Sequence, residues 1–568
     1  MKPWIAIQES HDSSVCIFYK NDFYFFELEK ISGFKHHHVL RNYNMEGKVG
    51  PQTRERIRQL WEDIKKGDFE SDENLKKNYE LNTETMRKVL KMAEEQFGIP
   101  NDFDLVLYKG LTRNPFPEES YFDRSIIKYD RWQISQCNHH LAHAFSAHNQ
   151  SPYQESNVIT FDAGGDEKYF ICHQFRKDRL LTREENLFFG HAYNTAAMFI
   201  KEIRENSSIY DYAGKVMGMA AYGKPDETLV GMFKKLIRYP VASHGAPIPK
   251  EFGVHEKAEE YAIYEKDFNS YNIKNQIKPE VIAASVQVAF EDTFIEQLKI
   301  YDAEKRYPLI LCGGCALNVL LNERLRREGW QVYVPPNPHD SGLPHGMLID
   351  RLMIERKFML RKKHTTMYSG PYIEEFRHNT FRRTVRKRRP VMMTMDDLVT
   401  VLKTGHIVGL INGRIENGPR ALGNRSILCD PSFPDMKDKL NAKVKNREWF
   451  RPFAPACIYE EAEKYFDFSS KENMESMSFA ARTREEYKSR LAAVTHVDGT
   501  ARLQTVKKED NPFFHSLLTN YKGVLLNTSF NVQGKPILNS LKDAFEVLDN
   551  TELDYVVYHR DGKIFSWT

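Results

Sequence analysis

Two stretches of this chain share one plan, and together they narrow the fold more than any other feature. Asn157-Val158-Ile159-Thr160-Phe161-Asp162-Ala163-Gly164-Gly165 is an apolar run that delivers an aspartate and two glycines to its end. Leu309-Ile310-Leu311-Cys312-Gly313-Gly314 repeats the delivery, and Ala316-Leu317-Asn318 then opens a helical pattern. Short β-branched and aromatic runs closed by glycine read as strands. Glycine at the strand end lets backbone amides approach a phosphate closely, and a helix N-terminus just beyond adds its own affinity for anions. A chain that carries this unit twice is expected to be α/β with two related halves.

The chain has 568 residues, enough for two to four units at roughly 100–200 residues each. No apolar run reaches the ~18 residues a membrane span needs, and the first ten residues carry no apolar stretch of secretory type. A cytoplasmic, soluble protein is expected. Seven dispersed cysteines (16, 137, 172, 312, 315, 429 and 457) argue against a disulfide framework. Cys312-Gly-Gly-Cys315 has redox or zinc spacing, but it closes an apolar run and no second such pair accompanies it, so a strand-to-loop junction is the plainer reading.

The net charge of +3 is unevenly spread. Twelve Lys and Arg against Glu374 and Glu375 give the span from Arg356 to Arg389 a local charge of +10, densest at Arg386-Lys387-Arg388-Arg389. This is either a solvated connector or an electrostatic contact with a polyanion.

Trp4–Ile7, Val15–Tyr19 and Phe23–Phe26 read as a strand, a loop carrying His11 and Asp12, and a hairpin. Residues 51–98 have the charged, Leu/Met-punctuated spacing of an inserted helical pair, and Leu105–Tyr108 resumes the sheet. The two strand-and-glycine halves are what a two-lobed nucleotide-binding fold of the actin/Hsp70 type would present. A further domain is expected from residue 371 to the end, closing on a late strand at Val524–Leu526.

Two constellations carry chemistry. In Cys137-Asn138-His139-His140-Leu141-Ala142-His143, His139 and His143 are four apart, so on a helix both imidazoles leave one face and can share a metal. Asp162 and Asp340 are candidates to complete the set, although both could equally cap turns. Two His and two carboxylates suit iron or zinc and tolerate manganese. The second constellation gathers arginines and lysines among Gly and Pro: Asn412–Ser426, Val444–Pro455, Arg502–Thr505 and Leu526–Asn531. Rigid guanidinium forks in fixed loops suggest an anion pocket more than a solvated face.

These segments resemble, in order, the signatures of the O-carbamoyltransferase family that includes nodulation, cephalosporin and aminoglycoside carbamoyltransferases: HHLAH, FDAGGDE, GKVMGMAAYG, GGCALN, ENGPRALGNRSIL, VKNREWFRPFAPA and LNTSFN. Together with the His11-Asp12 pair they run from His11 to Asn531. The resemblance implies an actin-like (ASKHA) carbamoyl-transfer domain over 1–355, a basic connector over 356–390 and a YrdC-like carbamoyl-adenylate-forming domain over 371–568. It implies transfer of a carbamoyl group from carbamoyl phosphate to a hydroxyl through a carbamoyl-adenylate made with ATP, Mg2+ accompanying the nucleotide, and a homodimer as one form of assembly.

By the same resemblance, His139, His143, Asp162 and Asp340 hold a divalent metal, and Arg420, Lys445, Arg451, Arg502, Asn527 and Ser529 hold carbamoyl phosphate or nucleotide. Lys35, Gly164, Gly165, Lys215, Gly313, Gly314 and Asn318 join the nucleotide side. His11 would be the base that deprotonates the acceptor, with Asp12 orienting it. Lys35-His36 matches a basic pair of the family, and His37 and His38 beside it add a weak metal reading. The chain departs from the family at Gln8-Glu9, at Leu28–Phe34 and at Leu343-Pro344-His345-Gly346-Met347, which points to a rebuilt acceptor side with donor activation intact.

Two acceptors are therefore expected as alternatives: a hydroxymethyl pyrimidine in nucleic acid or a nucleotide, for which the basic span and 36 Phe and 28 Tyr are the motive, or a sugar or antibiotic hydroxyl. A catalytically inert nucleotide-binding protein would have eroded these residues, and a tRNA threonylcarbamoyl transferase would lack the GPRALG and FRPFAP segments.

Overall fold

The computed structural model describes residues 2–9, 12–35, 73–109, 120, 122–165, 168–177, 179–207, 211–238, 268, 270–271, 275–356, 367–386 and 388–568. The first sheet contains β1 (Trp4–Gln8), β2 (Ser14–Tyr19), β3 (Asp22–Glu27), β4 (Phe103–Lys109) and β5 (Tyr129–Ile134) in the order 3-2-1-4-5. The second contains β6 (Ser156–Gly165), β7 (Lys168–Arg176), β8 (Arg179–Glu185), β9 (Leu309–Cys312) and β10 (Val332–Tyr333) in the order 10-9-6-7-8. Both halves thus have a central strand, an antiparallel meander on one side and parallel strands on the other. This is the duplicated two-lobed α/β fold expected from the repeated glycine-ended strands. The central strands are buried on both faces, as parallel pairing with helical cover requires: all five residues of β1 are buried.

A third, eight-stranded mixed sheet lies toward the C-terminus. Its strands are β11 (Val391–Met393), β12 (Val408–Ile411), β13 (Arg425–Cys429) and β14 (Ala454–Ile458), then, after a small three-stranded sheet of β15 (Phe466–Asp467), β16 (Ala480–Thr483) and β17 (Thr500–Arg502), β18 (Gln504–Val506), β19 (Leu525–Ser529), β20 (Tyr555–Arg560) and β21 (Lys563–Trp567). One apolar core runs from β6 and the helix Pro279–Asp302 of the second lobe into this sheet, through Ile407, Ile427 and Leu526.

Of the helical pair expected over 51–98, the described part is a single helix, Glu73–Phe97; residues 51–72 lie outside the described residues. The helix expected to open at Ala316 starts at Val319 instead, because a 3-10 turn over Gly314–Leu317 intervenes and Asn318 caps the helix through its side chain. All seven cysteines are free. Burial pushes the Cys312 and Cys315 thiols well above their ordinary value, which suits packing at a junction and not thiolate chemistry.

The basic span is partly built into the fold. Helix His378–Thr384 lays Phe381 against Tyr558 and Phe565, Arg388 pairs with Asp549 at 2.6 Å, and Arg377 lies 3.5 Å from Glu95. Arg382, Arg383, Arg386 and Arg389 remain exposed. Next to this helix, Glu375 accepts the N–H of Leu541 at 2.9 Å, yet burial, reinforced by Glu374, pushes its carboxyl from 4.5 up to about 7. The fold therefore favours its protonated form, a contribution present below pH ~4.5 and lost as pH rises through ~7, about 3 kcal/mol in all. Glu375→Gln, which keeps the accepting oxygen, is expected to flatten the fall in stability between pH 5 and 8. Urea unfolding at both pH values checks this, and an unchanged slope would contradict it.

Candidate active site

The helix His139–Gln150 begins at Asn138, whose Oδ1 accepts the N–H of Leu141 at 2.7 Å. The four-residue spacing then places both imidazoles on one face, Nε2 to Nε2 at 3.1 Å. Asp162 comes from the end of β6, where the amides of Gly314 and Ala163 donate to its carboxylate at 2.9 and 2.6 Å. Asp340 starts the turn that leads into helix Leu343–Arg356. That helix crosses the histidine helix at Gly346, where a Cβ would collide with the backbone of Ala142, so this glycine lets the two helices come together.

The four side chains close on one point. His139 Nε2 lies 3.9 Å from Asp162 Oδ2 and 3.5 Å from Asp340 Oδ1; for His143 Nε2 the distances are 3.6 and 3.3 Å. All four ligand atoms fall within 4.8 Å of one another, and His139, His143 and Asp340 are buried. Separations of this size are what donors about 2.0–2.2 Å from a shared divalent cation would show, and the N2O2 donor set matches such an ion. The residues fit a metal.

The cations of the C-terminal domain converge on a second point. Lys445 ends a π-helical turn, Asn441–Lys445, and its buried Nζ donates to the Ser529 carbonyl at 2.7 Å, to Ser529 Oγ at 3.2 Å and to Asn531 Oδ1 at 2.5 Å. Burial first, and then Arg447, Arg451 and Lys35, hold its ammonium well below the usual value. Arg502 is pushed down by burial and by Arg420, Arg447 and Arg451; its buried Nε has no hydrogen-bond partner among the described residues. Arg420 falls to about 10 through burial and the charge of Arg451. Arg420, Lys445, Arg447 and Arg502, each pushed down by burial and by neighbouring cations, stand with Arg451 poised for an anion, because an incoming phosphate relieves both their mutual repulsion and their lost hydration. Glu448 reaches the edge of the group, 3.8 Å from Arg451.

Not every arginine of these loops is available. Arg425, fully buried, donates to the carbonyls of Asn412 and Asn424 at 2.7 and 2.9 Å, and Arg414 donates to Gly370 at 2.7 Å while stacking over Phe97. Glu416 Oε1 takes the N–H groups of Leu422, Asn424 and Arg425, fixing the loop that carries Arg420. Asn527 donates to Ala421 and Gln504, and its buried Oδ1 is left without a partner among the described residues.

The remaining candidates divide. Lys215, on helix Tyr212–Ala220, pairs with Glu448, and Lys35 pairs with Asp211, so both N-terminal lysines reach the cation group. Asn318 is occupied: it accepts from Leu321 at 3.0 Å and donates to Tyr193 and Gln287. Gly313 and Gly314 back Asp162, and Gly165 closes the pairing of β6 with Lys168, one residue past Gly164. Asp12 lies near enough to Glu27 and His339 for its charge to act on both. His11, His36, His37 and His38 lie outside the described residues. Arg447 and Glu448 escaped the reading of the sequence, although both stand inside the Val444–Pro455 segment.

The chain belongs to the carbamoyltransferase family: the models of the carbamoyltransferase N-terminus and C-terminus match residues 11–348 and 399–561. It is a transferase. It is 31% identical over 460 residues to the uncharacterized protein MJ1058 of Methanocaldococcus jannaschii, covering 76% of this chain and 74% of that one. To nodulation protein NolO of Bradyrhizobium diazoefficiens it is 31% identical over 76% of this chain and 80% of the relative. To the 3'-hydroxymethylcephem-O-carbamoyltransferase of Streptomyces clavuligerus it is 32% identical over 61% and 63% of the two chains. Among solved structures, full-length HypF in its phosphate- and nucleotide-bound form aligns with 62% of this chain and 46% of its own, at 12% identity and a TM-score of 0.30.

Proposed function

We propose that the protein is an ATP-dependent O-carbamoyltransferase that uses carbamoyl phosphate, forms a carbamoyl-adenylate at the C-terminal cations and delivers the carbamoyl group to a hydroxymethyl acceptor. The observation that carries this is the grouping of Arg420, Lys445, Arg447, Arg451 and Arg502, close enough for their charges to act on one another. In balanced form, water takes the phosphoryl group of carbamoyl phosphate as inorganic phosphate. The carbamate oxygen attacks the α-phosphorus of ATP, and pyrophosphate leaves. The acceptor oxygen then attacks the carbamoyl carbon, its proton goes to a base, and AMP departs with the bonding electron pair.

The cations hold two anionic reactants side by side and stabilise the charge that builds on pyrophosphate. Lys445, fixed by Ser529 and Asn531, offers a point charge of set position, while the arginines offer forks. A divalent iron, zinc or manganese ion held by His139, His143, Asp162 and Asp340 would supply Lewis-acid polarisation of an oxygen. His11 is assigned the acceptor proton, with Asp12 beside it, on the chemistry of imidazole near neutral pH.

For the acceptor, the exposed Arg382, Arg383, Arg386 and Arg389 support a hydroxymethylated pyrimidine of nucleic acid. The likeness to a 3'-hydroxymethylcephem-O-carbamoyltransferase supports a small-molecule hydroxymethyl group as the second reading. Mass spectrometry after incubation with ATP, carbamoyl phosphate and a divalent metal decides between them, with 5-hydroxymethylcytosine DNA, the free nucleotide and an aminoglycoside as acceptors. One added carbamoyl group on the DNA is expected; addition to a small molecule alone overturns the nucleic-acid reading.

A further inference from the structure

Glu27 and Lys30 form an ion pair whose side chains are 6% and 3% exposed, at the start of the short helix Leu28–Ser32 in the first lobe. Burying two charges is costly, and the pair is worth holding only where its remaining donors and acceptors are used. Here they are used on the other domain. Lys30 Nζ, 2.8 Å from Glu27 Oε1, also donates to the carbonyls of Glu416 at 2.9 Å and Gly418 at 2.7 Å. The same Glu27 oxygen accepts the N–H of Gly418 at 2.7 Å. Three hydrogen bonds thus tie a three-residue stretch of the Arg420 loop to one buried pair.

The neighbours make this seat rigid. Gly418 has φ +98°, and a Cβ there would collide with the carbonyl oxygen of Pro336, so the loop lies flat on the strand of chain that leads to Asp340. Asn337 Nδ2 donates to Asn417 Oδ1 at 3.1 Å across the same seam. The helix of the pair is itself held by the Leu28 N–H donating to the Ser13 carbonyl at 3.0 Å. Arg420 follows Gly418 by two residues.

We propose that Glu27 and Lys30 are positioning residues of the donor site: a pair in the first lobe that fixes the Glu416–Gly418 backbone and thereby sets where the Arg420 guanidinium meets carbamoyl phosphate. The inference rests on the donor chemistry proposed above. It makes the donor half-reaction depend on two N-terminal side chains that touch no reactant, and it concerns the site for carbamoyl phosphate more than that for ATP.

The test uses the full chain and carbamoyl phosphate-dependent exchange of labelled pyrophosphate into ATP, which needs no acceptor. Glu27→Gln/Lys30→Met removes both charges together, so neither is left buried alone. The expected result is a KM for carbamoyl phosphate raised ~10-fold or more, with kcat and the KM for ATP within about 3-fold, as misplacement of one contact predicts. Leu398→Ala, in the apolar cluster under β12 away from the seam, serves as a destabilised control and should leave the KM unchanged. If the double variant does not fold, Glu27→Gln alone is expected to shift the same KM in the same direction. An unchanged KM, or an equal shift in Leu398→Ala, overturns the positioning role while leaving the donor chemistry standing. Absence of exchange in the parent protein overturns the donor chemistry, and this inference with it.

Discussion

Arg420→Ala is expected to lower carbamoyl phosphate-dependent pyrophosphate exchange by about 10²-fold. The reasoning is electrostatic. Arg420 sits with four other cations, is pushed down to about 10 by burial and by Arg451, and has no acidic group acting on it among the described residues. Its charge is held ready for an anion and not spent on structure. Losing one preorganised donor to developing charge typically costs ~10²–10³ in rate, and four remaining cations hold the loss toward the lower end. Arg425, in the same segment, supplies the contrast. Its guanidinium is committed to backbone carbonyls, so Arg425→Ala is expected to take a buried donor from the Asn412 carbonyl and to reduce the yield of folded protein. Equal exchange rates in the parent and Arg420→Ala would remove that residue from the donor site.

His143→Ala is expected to abolish carbamoyl transfer while leaving the melting temperature within a few degrees of that of the parent stripped of metal by a chelator. His143 is buried, but its contacts are His139, Asp162 and Asp340, a cluster whose like-charged and desolvated members do little for stability without a cation between them. Removing a ligand should lower metal affinity by more than the ~10–100-fold that follows loss of an outer-shell partner. Elemental analysis of the purified protein is the readout besides activity: the parent should retain one divalent ion per chain, the variant none. Full transfer activity in the variant, or in parent protein stripped by a chelator, would contradict the assignment.

How far the sequence alone reaches depends on the kind of contact. Four-residue spacing in a helix is a local property, so His139 and His143 were legible as a pair, and strand-end placement made Asp162 legible too. The duplicated halves were legible because strand and glycine recur in the same order. Contacts between distant segments were not. Nothing near Lys30 announces that its partners stand nearly four hundred positions away, and nothing in the Val444–Pro455 segment says that Glu448 turns to Lys215. The roles of Asn318 and Arg425 were hidden for the opposite reason. A capping asparagine and a carbonyl-binding arginine have the same composition signal as ligand-binding ones, and only the packing around them tells which they are. Gly346 was hidden in the same way, since its need to be glycine comes from the backbone of Ala142 some two hundred positions away.

The central claim is that carbamoyl phosphate is activated on this chain as a carbamoyl-adenylate. It is tested most directly by incubating the protein with carbon-13-labelled carbamoyl phosphate and ATP, quenching without an acceptor, and recovering bound nucleotide for mass spectrometry. The prediction is AMP carrying one labelled carbamoyl group, with pyrophosphate released in equal amount. ADP and inorganic phosphate, or unlabelled AMP alone, would contradict it.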